Sequence, residues 1–173
     1  MMNKPLVGAW LIAIGAILGA IANTPSKILS EVFLKDLALI GNTLQAAGGA
    51  FIAGSEETLD IRIGNQIKAI GNLTSIRGLF EKDENIRLIY NSQGNLIQAV
   101  GIGITLNFQE NLTLNESLLN VSLMIRMIGS SLHALSNKKK LENVEGADEL
   151  ITVAVWIKAV GAVLSALIFD KTI

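Results

Sequence analysis

The chain has 173 residues, half of them hydrophobic, 17% charged and only 5% aromatic, with a formal net charge of −1. A mean hydropathy of +0.49 excludes intrinsic disorder, which needs low hydrophobicity and high net charge. The absence of Cys and a single His, His133, argue against thiol chemistry, Cys-based zinc sites and multi-His metal centres, and the balanced charge gives no basic bias toward nucleic acid.

Taken in chain order, the first element is a helix over 5–22 carrying the hexapeptide GAILGA, Gly15 to Ala20. No charge falls between Lys4 and Lys27, a run long enough to cross a bilayer, and Ala20-Ile21-Ala22 also has the form of a signal-peptide cleavage site. Thr24-Pro25, a capping residue followed by Pro, predicts a second helix over 25–53 with GNTLQA from Gly41, stopped by Gly54. Ser55-Glu56-Glu57 predicts a third over 56–80 with GNQIKA from Gly64, and Asp83-Glu84 a fourth over 84–108 with GNLIQA from Gly94. Asn115-Glu116 opens a fifth over 115–137 with GSSLHA from Gly129, and Lys138-Lys139-Lys140 at its end complement the helix dipole. The acids between Glu145 and Glu149 open a sixth over 146–170 with GAVLSA from Gly161. No stretch alternates with period two. The expected fold is all-α: one domain over 1–173, a six-helix antiparallel bundle with a Gly-x-x-Leu/Ile-x-Ala repeat in each helix.

The repeat has a face. With the leading Gly at zero degrees, the Leu or Ile three positions on lies near 300° and a second Gly seven positions on near 340°. Such second glycines occur at Gly48, Gly71 and Gly101, and Gly8 precedes Gly15 by the same step. Gly inside a helix costs about 1 kcal/mol against Ala, so its repeated use implies close helix contact. Gly15, Gly41, Gly48, Gly64, Gly71, Gly94, Gly101, Gly129 and Gly161 are therefore the expected helix-packing seam. The fourth position after each leading Gly reads Gly19, Gln45, Lys68, Gln98, His133, Ser165, and the first reads Ala16, Asn42, Asn65, Asn95, Ser130, Ala162. Both columns are polar in the middle copies and mostly small or apolar in the first and last. Asn42, Gln45, Asn65, Lys68, Asn95, Gln98 and His133 thus form an expected polar layer, either fixing register by paired hydrogen bonds or lining a polar pocket. The segments Trp10–Ile21 and Trp156–Leu167 match at six of twelve positions, which marks the first and last helices as a central or partner-facing pair.

Catalytic chemistry finds little footing. His133 is the column equivalent of Gln, Lys and Ser, and Ser130 beside it completes no triad. The acids Glu56, Glu57, Asp60, Glu142, Glu145, Asp148 and Glu149 cluster at inferred helix starts, where the dipole and water account for them without a metal. Gly101-Ile-Gly103 does not complete a GxGxxG, because Leu106 takes the last position and no strand precedes it. The copies GNTLQA and GNLIQA, with GNQIKA between them, resemble a poorly characterised group of short Gly-Asn-repeat helical proteins of Gram-positive bacteria. The resemblance implies a helical bundle and carries no activity; the first and last helices lack its Asn and Gln. The expectation is a non-enzymatic structural or interaction protein, cytoplasmic, without cofactor, self-associating or meeting a protein partner through an apolar helix face. The alternative is a membrane-associated or membrane-active protein of pore or immunity type, because small residues spaced along apolar helices are also how membrane helices pack.

Overall fold

The structure is a computed structural model that describes residues 3–55 and 58–171. It contains six helices: α1 (Lys4–Ala22), α2 (Glu31–Ala53), α3 (Leu59–Leu79), α4 (Glu84–Ile104), α5 (Leu114–Leu141) and α6 (Ala147–Lys171). Consecutive helices pack antiparallel, and α6 returns to pack on α1, so the six close into a ring. The tightest pairs are α1 with α2, α3 with α4, and α5 with α6: three hairpins set side by side. No helix runs through the middle, which corrects the expectation of a central first and last pair. α1 and α6 are instead neighbours in the wall, joined where Trp156 Nε1 donates to Thr24 Oγ1 at 3.0 Å and Thr152 Oγ1 donates to the Asn23 carbonyl at 3.3 Å.

Several helix ends differ from their sequence signals because side chains close the chain locally. Thr24 Oγ1 donates back to the Ala20 carbonyl and Asn23 Nδ2 to the Gly19 carbonyl, so this pair finishes α1 instead of starting α2. Ser26 Oγ then accepts from the amides of Ile28 and Leu29, and α2 begins at Glu31 behind a Ser30 cap. Glu56 and Glu57 lie outside the described residues, and α3 opens behind Thr58. α4 ends at Ile104, where the Thr105 hydroxyl turns back to the Ile102 carbonyl at 2.7 Å. Thr113 and Glu116 form a reciprocal capping box at the start of α5, and that helix runs on through all three lysines.

Each hairpin holds two points of very close approach, seven residues apart. A Cβ added to Gly15 would lie 2.5 Å from the Gly41 carbonyl oxygen, and one on Gly41 2.7 Å from that of Gly15; Gly8 faces Gly48 in the same way. In the second hairpin Gly64 faces Gly101 and Gly71 faces Gly94, with an added Cβ again 2.6–2.7 Å from the opposing carbonyl. In the third, Gly129 lies against Ala154 and Gly161 against Ser122. No side chain fits on these glycines at such distances, so each contact brings a glycine against the opposing backbone.

Candidate functional site

The distribution of side chains is inverted relative to a water-soluble bundle. Large apolar residues such as Ile40, Ile70, Leu73, Leu96, Val100, Ile128 and Val160 are exposed on the outside of the ring. The buried set is dominated by Ala together with Gln45, Asn65, Lys68, Asn72, Asn95, Gln98, Arg126, His133, Asn137 and Lys158. Soluble proteins rarely bury Lys or Arg without a partner.

The close backbone contacts place this polar set. The residue four positions after each contact position lies over the opposing helix: Gln45 Cγ would meet a Cβ on Gly15, Gln98 Cγ one on Gly71, Lys68 Cγ one on Gly101, and Arg126 Cγ one on Gly161. Because the opposing residue has no side chain, a long side chain can cross it and reach the interior. Two layers result, with one residue from each helix in each. Call the near end of the ring the one where α1 begins and α6 ends, and the far end the one with the α1–α2, α3–α4 and α5–α6 turns. Toward the near end, Ile12, Ile52, Lys68, Thr105, Arg126 and Ser165 all line one cavity of about 150 Å³. Toward the far end, Gly19, Gln45, Ser75, His133 and Lys158 line a second of about 50 Å³, and Gln98 is buried at the same level.

The expected polar layer is therefore divided. Asn65 and Lys68 face the near cavity, while Asn42, Gln45, Asn95 and His133 face the far one; Asn42 is only half-buried. The amides do not pair with one another across the ring. Asn42, Asn65, Asn72 and Asn95 each donate Nδ2 to the carbonyl four residues back on their own helix, at 2.7–3.0 Å. That leaves Asn65 Oδ1 and Asn72 Oδ1 buried without a partner, together with Gln98 Nε2, Arg126 Nε, Ser130 Oγ, Asn137 Nδ2 and both His133 ring nitrogens. Of the interior cations only Lys158 is bonded, donating Nζ to Asn95 Oδ1 at 3.2 Å. No described acid lines either cavity. A polar cavity with so many unpaired groups is stable when water or a polar solute completes the hydrogen bonds.

Arg126 and the interior place of Lys158 are not apparent from the hexapeptides. The signal is present one step further: Ser122 stands seven residues before Gly129 and Ala154 seven before Gly161, so Arg126 and Lys158 are the fourth residues after non-glycine contact positions.

Charge elsewhere is confined to the two ends. Between Arg62 and Arg77 on α3, over 37–53 on α2, 88–104 on α4, 117–137 on α5 and 150–169 on α6, the only charged residues are Lys68, Arg126 and Lys158, all buried. Three helices, α1, α5 and α6, are long and apolar enough to cross a membrane. Among the described residues no group of three His, Asp or Glu is placed to hold a metal ion.

A family model described as "Family of unknown function (DUF6944)" matches residues 3–166. No curated protein and no solved structure matches the chain.

Proposed function

We propose that the chain, which belongs to this family of unknown function, is a membrane-embedded, non-enzymatic ring of helices whose polar interior admits small hydrophilic solutes, anions in preference to cations. The observation that carries this reading is the sorting of charge: every charge in the middle of the ring is buried, and the large apolar side chains exposed there, Ile40, Ile70, Leu96 and Val160 among them, have lipid as their natural neighbour. At 1.5 Å per residue the charge-free outer belt is about 20–30 Å high, close to a hydrocarbon core when the Arg and Lys at its rims extend toward water. Helices satisfy their own backbone hydrogen bonds, so the wall needs no water on its outer face. The Gly and Ala contacts supply the close packing that drives helix association where lipid competes for apolar side chains. Buried cations without acids favour anions inside.

The same apolar belt also suits a second copy of the chain, and this supports self-association as a second reading. Fractionation of expressing cells tests both. Protein that pellets with membranes, resists alkaline extraction and dissolves only in detergent supports the membrane reading. A discrete oligomer in detergent-free supernatant overturns it in favour of a self-associating bundle. Once reconstituted into vesicles, the protein is expected to release trapped chloride faster than trapped sodium; equal or reversed rates remove the anion preference.

A further inference from the structure

We propose that the near cavity is a binding site for a small monocarboxylate, held by Lys68 from α3 and Arg126 from α5 with its hydrocarbon portion against the apolar wall. Both cations are only 6% exposed, both line the cavity, and neither has a hydrogen-bond or ion-pair partner. Arg126 Nε is among the unpartnered buried atoms, and a carboxylate is the group whose two oxygens match the paired N–H edge of a guanidinium. The neutral hydroxyls nearby are spent, that of Thr105 on the Ile102 carbonyl and that of Ser165 on the Gly161 carbonyl, and Asn65 Nδ2 keeps one N–H after donating the other to the Ile61 carbonyl. Recognition of the ligand's charge therefore falls to the two cations. Asn65 Oδ1 is an unpartnered acceptor on the same wall and opposes a second negative charge, which favours a monoanion over a phosphate or dicarboxylate.

The rest of the cavity sets the body of the ligand. Ile12, Ile52, Ile61, Leu123 and Phe169 give it an apolar surface that a bare halide or nitrate leaves uncovered. A dry cavity of about 150 Å³ accommodates a molecule the size of benzene, so an aliphatic chain of about three to five carbons fits. The far cavity differs in kind. It has a third of the volume, and Asn42, Gln45, Asn91 and Asn95 line it beside Lys158. The two cavities thus present the same charge to different bodies, and only the near one suits an amphiphilic anion.

The proposal rests on the near cavity and is independent of whether solutes traverse the ring, so a failed flux assay leaves it standing. Butyrate is the probe, titrated calorimetrically and by thermal shift into the purified full chain, with detergent if the protein partitions with membranes. Sodium butyrate is expected to bind and to raise Tm above that in equimolar sodium chloride, whereas butylammonium and 1-butanol are expected to do neither. Lys68→Gln and Arg126→Gln are each expected to weaken butyrate at least ten-fold, and Lys158→Gln, in the other cavity, to leave it within two-fold. Chloride binding as tightly as butyrate, or butyrate binding undiminished in Lys68→Gln, overturns the proposal. Should Arg126→Gln fail to fold, judged by lost helicity, Lys68→Gln and the four-probe comparison on the unaltered protein decide the matter.

Discussion

At Gly71 the difference between a hydrogen and a methyl group decides whether α3 and α4 can touch. A Cβ there would sit 2.6 Å from the Gly94 carbonyl and 2.7 Å from Gln98 Cγ, whereas one on Gly19 would meet nothing nearer than Gln45 Nε2 at 3.8 Å. Gly71→Ala is therefore expected to destabilise by about 1–3 kcal/mol, and Gly71→Leu by more. Gly19→Ala is expected to be neutral or stabilising by up to about 1 kcal/mol, since it removes a helix-interior Gly without a clash. Thermal unfolding followed by helicity separates the two sites, and equal melting temperatures would count against backbone contact at Gly71. The interior cations have the opposite balance. Lys158 is buried with one neutral partner, Asn95, so Lys158→Met is expected to raise stability by about 1–3 kcal/mol while reducing chloride over sodium release from vesicles. A variant that loses stability and keeps the anion preference contradicts both halves.

Among the elements, α5 is the best capped: Thr113 N and Oγ1 reach Glu116 Oε2 at 2.8 and 2.7 Å, and Glu116 N reaches back to Thr113 Oγ1 at 3.3 Å. Thr113→Ala is expected to cost about 1 kcal/mol, read as a lower Tm with unchanged assembly. α3, by contrast, starts behind Thr58 with no side-chain cap bond, three residues after the boundary that Ser55-Glu56-Glu57 signals in the sequence. The existence and order of all six helices were legible, because apolar spacing and helix-start residues recur along the whole chain. The exact starts of α2 and α3 were not, since Thr24, Asn23 and Ser26 before α2, and Ser55 before α3, serve local turns whose geometry no spacing rule distinguishes from a cap. The interior was half legible. The glycine spacing led to Gln45, Lys68, Gln98 and His133, but Arg126 follows a Ser and Lys158 an Ala at the equivalent positions. Ring closure was not legible at all, because the pairing of α6 with α1 depends on how three hairpins fit together in space, and the likeness between the two helices was equally compatible with a central pair.

For the whole molecule, the two ends of the ring differ in basic residues. Lys27, Lys35, Arg77, Lys82, Arg87 and Lys138 to Lys140 lie at the far end, against Lys4, Arg62 and Lys171 at the near end. If the belt spans a bilayer, this excess orients the far end toward the cytoplasm and the Lys68–Arg126 cavity toward the opposite side. The chain has no Cys, so single cysteines introduced at Ser26 and at Gln109 report the two ends directly. An impermeant thiol reagent added to intact cells is expected to label Gln109→Cys and to spare Ser26→Cys until the membrane is broken; the reverse pattern inverts the orientation.

Three separate copies of one hairpin could close the same wall, but they would be bound to present identical side chains at every second helix. Joined in one chain, the hairpins are free of that constraint. The α1–α2 hairpin sends Ile12, Gly19, Gln45 and Ile52 inward and contributes no charge, while Lys68, Arg126 and Lys158 all come from the other two. The interior potential is therefore lopsided, with a neutral side and a positive side. A dipolar solute entering the ring would turn its negative end toward α3, α5 and α6, so the single chain imposes an orientation on its contents that a threefold-symmetric channel has no means to select.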